Sequence, residues 1–318
     1  MADSVPVIDF SAYSIDRESP DPARIQELVD DVYSALTTIG FMYLKNHGIP
    51  QKKIDDVFHT AKQFLSLSAE AKRAYVRPAD DKYGYFEMER ERLNPARPFN
   101  DLKETFNYCP STSSDIFPDE EVPEFRGAML SLFDASKLLH NRTLEIIAMG
   151  LGLDQMFFVN MHSSIGTPEN LSCMRALYYP SLTNVEVKRD QVRCGEHSDY
   201  GGITLLFQDD QGGLEVKNCH DCWIPAPPIE GTVLVNIGDL MQRWTSDKLI
   251  ACKHRVMIPD NPARRRHDRQ SIAFFGIPDE SVIAECVDGS NKYPPVKTSD
   301  YIKMKFTAAT IETSKPEV

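Results

Sequence analysis

No stretch of this chain stays apolar for long enough to span a membrane, and Met1-Ala2-Asp3-Ser4 lacks the basic and apolar regions of a secretory signal. Basic charge is in deficit. The 35 Lys and Arg are outnumbered by 47 Asp and Glu, so the net charge is −12, which argues against a nucleic-acid or anionic-membrane partner. The one basic cluster, Arg264-Arg265-Arg266-His267, is short and Pro-flanked and reads as a solvated loop tip. Seven scattered cysteines, an odd number, give no disulfide framework and fit reduced thiols in the cytoplasm. Cys219-His220-Asp221-Cys222 has half the ligands of a zinc site, with no second Cys/His pair at the usual spacing. Cys194 lies near His197, but no third-residue pattern supports a cysteine hydrolase. Internal repeats and low-complexity linkers are also missing.

What is present begins with helical periods. Pro22 to Ile39 carries Ile25, Leu28, Val29, Val32, Leu36 and Ile39 at helical spacing and stops at Gly40. Gln51 to Leu67 is a second amphipathic helix, and Ser68 is placed to cap a short third one. Pro123 to Leu151 predicts the longest helix, followed by a shorter one over Asp154 to His162. Between them, 75–110 keeps no period and is punctuated by Pro78, Gly84, Pro95, Pro98 and Pro110. Such a long irregular stretch is expected to cover an active-site mouth, with Asp101 to Tyr108 as a strand within it. From Leu171 short strands follow one another: Cys173 to Tyr179, Gly202 to Phe207, Leu214 to Lys217, Cys222 to Pro225, Thr232 to Asn236, His254 to Ile258 and Gln270 to Gly276. That spacing suggests a double-sheet jelly roll, with Ser299 to Thr313 returning to helix. The fold class is therefore α+β with a mainly β core. We expect 1–110 to be a helical and strand N-terminal region and 111–318 the jelly-roll core, in one integrated unit.

The chemistry concentrates in Glu196-His197-Ser198-Asp199-Tyr200-Gly201-Gly202. In an extended strand, residues two apart point to one side, so His197 and Asp199 converge. Two ligands hold a metal poorly, and His254, opening a later strand, is the best third. Two imidazoles and one carboxylate suit non-haem Fe(II) and leave octahedral positions open. Arg269 and Ser271 share a strand face further on. A planar guanidinium beside a hydroxyl is shaped to clamp a carboxylate.

His-x-Asp, a distant His and Arg-x-Ser, in that order, resemble the iron(II)- and 2-oxoglutarate-dependent dioxygenases of the isopenicillin-N-synthase-like branch. Val5-Pro6-Val7-Ile8-Asp9-Phe10, Gly40-Phe41 through Gly48-Ile49-Pro50, and Val235-Asn236-Ile237-Gly238-Asp239 agree with it. The resemblance implies a double-stranded β-helix with a C-terminal helix, Fe(II), 2-oxoglutarate, O2 as co-substrate and ascorbate as an accessory reductant. It implies that 2-oxoglutarate chelates the iron, pairs its distal carboxylate with Arg269 and Ser271, and is converted to succinate and carbon dioxide. Tyr178-Tyr179-Pro180 is similar to the Asn-Tyr-Tyr-Pro run of plant members, whose second Tyr touches 2-oxoglutarate; Tyr179 takes that role, and the Asn position holds Leu177. The hairpin over Pro259 to His267 is longer than in many relatives. Of the nearby arginines, only Arg269 has a Ser two places on within an apolar strand.

Strand alternation puts Arg175 on the face of Leu177 and Tyr179. A buried Arg needs a partner, which is either an internal carboxylate or an anionic substrate, with equal claims. Our specific expectation is a carboxylate or carbonyl of the primary substrate. Phe106, Tyr108, Tyr85, Phe275 and Met304 are candidate pocket walls, although aromatics at such spacing are more often plain core. The chain thus reads as an oxidoreductase that takes a hydrogen atom from a C–H bond of a small polar molecule. Hydroxylation, desaturation or oxidative ring closure would follow. Two other readings stand beside it: an iron oxidase that dispenses with 2-oxoglutarate, and a non-catalytic ligand-binding jelly roll.

Overall fold

A computed structural model of the chain describes residues 4–76, 84–94, 96–110, 116–183 and 185–311, with side chains as far as Thr307. Pro78 and Pro95, used above as punctuation, lie outside the described residues, as does residue 313 at the expected end of the last helix. In chain order, β1 (Val7–Asp9) and a 3-10 turn (Phe10–Ala12) lead to α1 (Pro22–Thr38), β2 (Phe41–Lys45), α2 (Gln51–Leu65) and α3 (Ala69–Arg73). Then come β3 (Gly84–Phe86), β4 (Glu104–Tyr108), α4 (Pro123–Gly150) and α5 (Phe157–Asn160). The strand-rich part holds β5 (Cys173–Tyr179), β6 (Cys194–His197), β7 (Ile203–Gln208), β8 (Leu214–Lys217), β9 (Trp223–Pro225) and β10 (Thr232–Ile237). It continues through α6 (Asp239–Trp244), β11 (His254–Val256), α7 (Pro262–Arg265) and β12 (Arg269–Gly276). A small hairpin, β13 (Ile283–Ala284) and β14 (Val296–Lys297), feeds α8 (Thr298–Ile311).

Local sequence explains these boundaries. Asp21 caps α1 by accepting the Ala23 N–H, and Pro22 at its first position gives up no helical hydrogen bond. Gly40 stops α1 and turns the chain into β2 at φ +67°; a Cβ there would collide with the Ile250 carbonyl. The expected helix over Asp154 to His162 contracts to α5, flanked by turns. The short elements β3, β6, α6, α7, β13 and β14 carry too little periodicity to have been anticipated.

The strands form two sheets, ordered β1-β2-β10-β7-β12-β5-β4-β3 and β6-β11-β8-β9. This is the double-stranded β-helix. Four strands from the first 110 residues, β1 to β4, complete the two ends of the larger sheet. Alternation along each strand divides its side chains between two cores. One face packs on α1, α2 and α4 through Leu36, Phe64, Phe106, Phe125, Phe133 and Phe274, all buried. The other faces the smaller sheet through Phe41, Tyr43, Tyr179, Val216, Leu234 and Val256. Burying each large apolar side chain contributes roughly 1.5–3 kcal/mol, so the division fixes register as well as stability. No described helix is long and apolar enough to cross a membrane.

Candidate metal centre and active site

His197 ends β6 and His254 opens β11, and the two are direct cross-strand partners. Their ring centroids are 4.2 Å apart. Asp199 lies just beyond β6 rather than within it, so the strand end, not an unbroken strand, aims the carboxylate. Its Oδ1 stands 3.8 Å from His197 Nε2 and 3.7 Å from His254 Nε2. Ligand atoms of all three lie within 4.8 Å of one another, the one such group of His, Cys, Asp or Glu found among the described residues.

Each imidazole is oriented by a backbone carbonyl. His197 Nδ1 donates to Gly195 O at 2.8 Å and His254 Nδ1 to Cys252 O at 3.3 Å. A carbonyl can only accept, so the ring proton sits on Nδ1 and the Nε2 lone pair faces the centre. Asp199 Oδ2 accepts from Thr204 Oγ1 at 2.6 Å and Asn236 Nδ2 at 2.7 Å, leaving Oδ1 free for the metal. Burial would raise the Asp199 pKa, but the His254 and His197 imidazoles and these two donors more than offset it and hold the carboxyl low. Burial, with His197 alongside, depresses His254 to about 4 against the opposing pull of Asp199. An imidazole kept neutral, as burial keeps His254, and an ionised carboxylate are the protonation states that Fe(II) requires, and with His197 as the second imidazole the donor set fits that ion.

Deeper along the inner face, β12 pairs Arg269 with Tyr179 and Ser271 with Leu177. Arg269 is 1% exposed and each of its three guanidinium nitrogens meets a neutral acceptor: Gly212 O at 2.7 Å, Ser271 Oγ at 3.2 Å and Gln208 Oε1 at 3.0 Å. Its guanidinium carbon lies 4.9 Å from the Tyr179 ring centre. The expected Arg, Ser and Tyr therefore share one buried wall.

Arg175 lies on this same face, paired with Ala273 and Asn107 on the flanking strands. Its Nη1 meets Glu91 Oε2 at 3.3 Å, and Lys103 Nζ approaches the same oxygen at 3.3 Å while holding Asp101 at 2.6 Å. An internal carboxylate therefore partners Arg175, although its Nε has no hydrogen-bond partner among the described residues. Burial would raise the Glu91 pKa, but Arg175 and Lys103 hold it at about 2. Phe275 shares the face, its ring 5.8 Å from the Arg175 guanidinium.

Three aromatics expected in the pocket are elsewhere. Phe106 is opposite Ala176, Tyr108 opposite Met174 and Tyr85 opposite Phe106, which turns all three toward the helices. There Phe106 and Tyr85 lie 5.4 and 5.7 Å from the Phe64 ring, and Tyr108 lies 5.3 Å from Phe133. The reason is register: Thr105 and Asn107, not their aromatic neighbours, share the face of Leu177 and Arg175. Met304 is 55% exposed on α8; its neighbours Lys305 and Phe306 are the ones that meet Asp239 and Tyr200. Sequence reasoning also missed Thr204, Asn236, Gln208 and Glu91. Thr204 and Asn236 could have been found from strand parity beside the His197-Ser198-Asp199 and Val235-to-Asp239 motifs; Glu91 sits in an irregular segment that gives no signal.

Comparison with known proteins agrees with this geometry. The profile of the 2OG-Fe(II) oxygenase superfamily matches residues 170–278, and that of the non-haem dioxygenase in morphine synthesis N-terminal region matches residues 5–125. The 2-oxoglutarate-Fe(II) type oxidoreductase ppzD of Metarhizium rileyi is 31% identical over 296 residues, covering 87% of this chain and 81% of the relative. Proline hydroxylase buaE of Petromyces alliaceus is 33% identical over 274 residues, covering 82% and 84%. The crystal structure of a full-length Neurospora crassa protein in complex with alpha-KG and thymine superposes with a TM-score of 0.83 at 31% identity, covering 96% of each chain. With iron ligands in place at His197, Asp199 and His254, the chain belongs to the 2OG-Fe(II) oxygenase superfamily and is a 2-oxoglutarate-dependent dioxygenase.

Proposed function

We propose that this dioxygenase oxidises a small polar molecule at a C–H bond, with a carboxylate or carbonyl of that molecule held by Arg175. The observation that carries the reading is the Arg175 side chain on the inner face, with a buried Nε that no acceptor among the described residues satisfies. A buried donor without a partner costs about 1–3 kcal/mol, which a ligand oxygen would relieve. Relatives of similar identity act on or bind molecules of this kind by name, a proline hydroxylase and a thymine complex among them.

In this reading Arg269 and Ser271 receive the distal carboxylate of 2-oxoglutarate, and Tyr179 flanks it. Iron(II), when bound, supplies the oxidising chemistry that consumes 2-oxoglutarate and O2 and takes a hydrogen atom from the substrate. The residues of the chain orient the co-substrate and the substrate and keep water out. Phe41 packs edge-on against His254 at 5.5 Å, and Phe275 lies beside Arg175, so apolar surface borders the polar groups. Hydroxylation, desaturation and ring closure share that abstraction. We take 1–110 and 111–318 to work as one unit in the cytoplasm, the first supplying Glu91 and Lys103 to a site built on the second.

The test is substrate-stimulated succinate release from a panel of small acids, amides and nucleobases with Fe(II) and 2-oxoglutarate in air. We expect stimulation by a subset bearing a carboxylate or carbonyl, and a raised KM for that subset in Arg175→Ala. An Arg175→Ala protein with unchanged KM for the stimulating compound would remove the reading.

A further inference from the structure

A second arginine is as deeply buried as Arg269 and has no role in the reading above. Arg193, immediately before β6, is 1% exposed. Its Nη2 donates to His267 O at 3.2 Å, two residues ahead of Arg269, and its Nε has no partner among the described residues. Among the described residues, neither Arg193 nor Arg269 has a carboxylate within ion-pair distance. Burial, and after it the like charge of Arg269, pushes the Arg193 pKa down; Tyr179, Asp209 and Asp268 pull the other way more weakly. Asp209 is occupied by the backbone N–H groups of Gln270 and Gln211, and Asp268 by the Ser181 N–H and Lys62.

Two buried guanidinium groups in one another's field are unfavourable unless an anion offsets them. A carboxylate has room for both, since its two oxygens offer about four acceptor positions. We propose that Arg193 is a second cationic residue for the distal carboxylate of the co-substrate and sets the preference for dicarboxylic over monocarboxylic 2-oxo acids. This rests on the assignment of Arg269 to that carboxylate. Arg269 and Ser271 fix its position, while Arg193 adds charge that a monocarboxylate cannot use. No bond is made or broken in this role, so Arg193 is a positioning residue.

The experiment is an anaerobic equilibrium titration of the Fe(II)-loaded protein, following the visible charge-transfer band. The two probes are 2-oxoglutarate and 2-oxopentanoate, which has the same five carbons and no distal carboxylate. We expect R193Q to weaken 2-oxoglutarate about tenfold, as loss of one charge-assisted contact should, and to leave 2-oxopentanoate within about twofold. R193K should recover part of the loss. Equal weakening of both acids, or of neither, would overturn the proposal. So would unfolding of both R193Q and R193M, judged by circular dichroism, with R193K folded, because the charge would then belong to the framework. R269Q separates the two levels. If R269Q leaves 2-oxoglutarate affinity unchanged, the clamp itself is misassigned; if R269Q weakens it and R193Q does not, only the role of Arg193 falls.

Discussion

Asn236 Nδ2 lies 2.7 Å from Asp199 Oδ2, and Thr204 Oγ1 donates to the same oxygen at 2.6 Å. The carboxylate is thereby locked with one oxygen facing protein donors and the other facing the two imidazoles. Residues 204 and 236 are paired across β7 and β10, so the sheet itself sets the angle of an iron ligand that lies outside any strand.

That arrangement predicts a metal phenotype for residues that never touch metal. Thr204→Val and Asn236→Leu should each weaken Fe(II) affinity by about 10–100-fold, the usual effect of removing a partner behind a ligand. Competition titration with Co(II) in place of iron measures it directly. Unchanged affinity in both variants would mean that Asp199 is held by its backbone alone.

Phe106 tests the placement of the aromatics. On the helix side of the sheet it touches Phe64, Phe117 and Phe125, with ring centroids at 5.4, 5.2 and 5.0 Å. Phe106→Ala should therefore cost about 3–5 kcal/mol in urea unfolding through cavity formation. Where the variant is folded, its substrate KM should match wild type. A large KM effect with little loss of stability would return Phe106 to the pocket.

The contrast between these residues shows how far the sequence could be read. His197, Asp199 and His254 were legible because metal ligation needs particular atoms at particular spacings. Arg269 and Ser271 were legible as a same-face pair. Phe106 was misread because a strand of alternating polar and aromatic residues says that two faces differ, not which one faces inward. That choice belongs to the β4–β5 register, which matches Phe106 to Ala176 and Asn107 to Arg175. Arg193 and Glu91 escaped notice since nothing local marks a charged residue as buried; their burial comes from chain segments far away in sequence.

Part of the acid sensitivity should come from two imidazoles remote from the iron ligands in sequence. His140 and His162 are 0% and 1% exposed, with ring centroids 5.1 Å apart. Burial pushes them down to about 3 and about 4, His162 adding to the effect on His140 and the Phe158 carbonyl opposing it at His162. In the unfolded chain each takes up a proton near pH 6.5, whereas the folded protein keeps them neutral to far lower pH. The unfolded state then binds more protons, and stability falls as pH drops from about 6.5 toward the folded values. Each contributes a slope of ~1.4 kcal/mol per pH unit in that window. Urea midpoints at pH 7, 6 and 5 should decline accordingly, and less steeply in His140→Leu. A flat profile would show that a proton acceptor reaches both rings.

Glu91 presents the sharpest test of how substrate is recognised. Its carboxylate sits 3.3 Å from both Arg175 and Lys103, while Lys103 also holds Asp101 at 2.6 Å. Among the described residues Arg175 thus has one carboxylate, and Lys103 has two. Removing the Glu91 charge leaves Arg175 as the uncompensated member, and breaking a buried pair in this way costs about 3–5 kcal/mol. Glu91→Gln should lose stability on that order without ligand, because the guanidinium is left inside without its counter-charge. A substrate carboxylate would supply the missing charge, so the ligand-induced rise in melting temperature should be larger in Glu91→Gln than in wild type. Arg175→Ala should behave in the opposite sense, with little ligand-induced rise. If Glu91→Gln and wild type respond alike, Arg175 is a strut for the segment that carries Glu91, and the substrate is read by other groups.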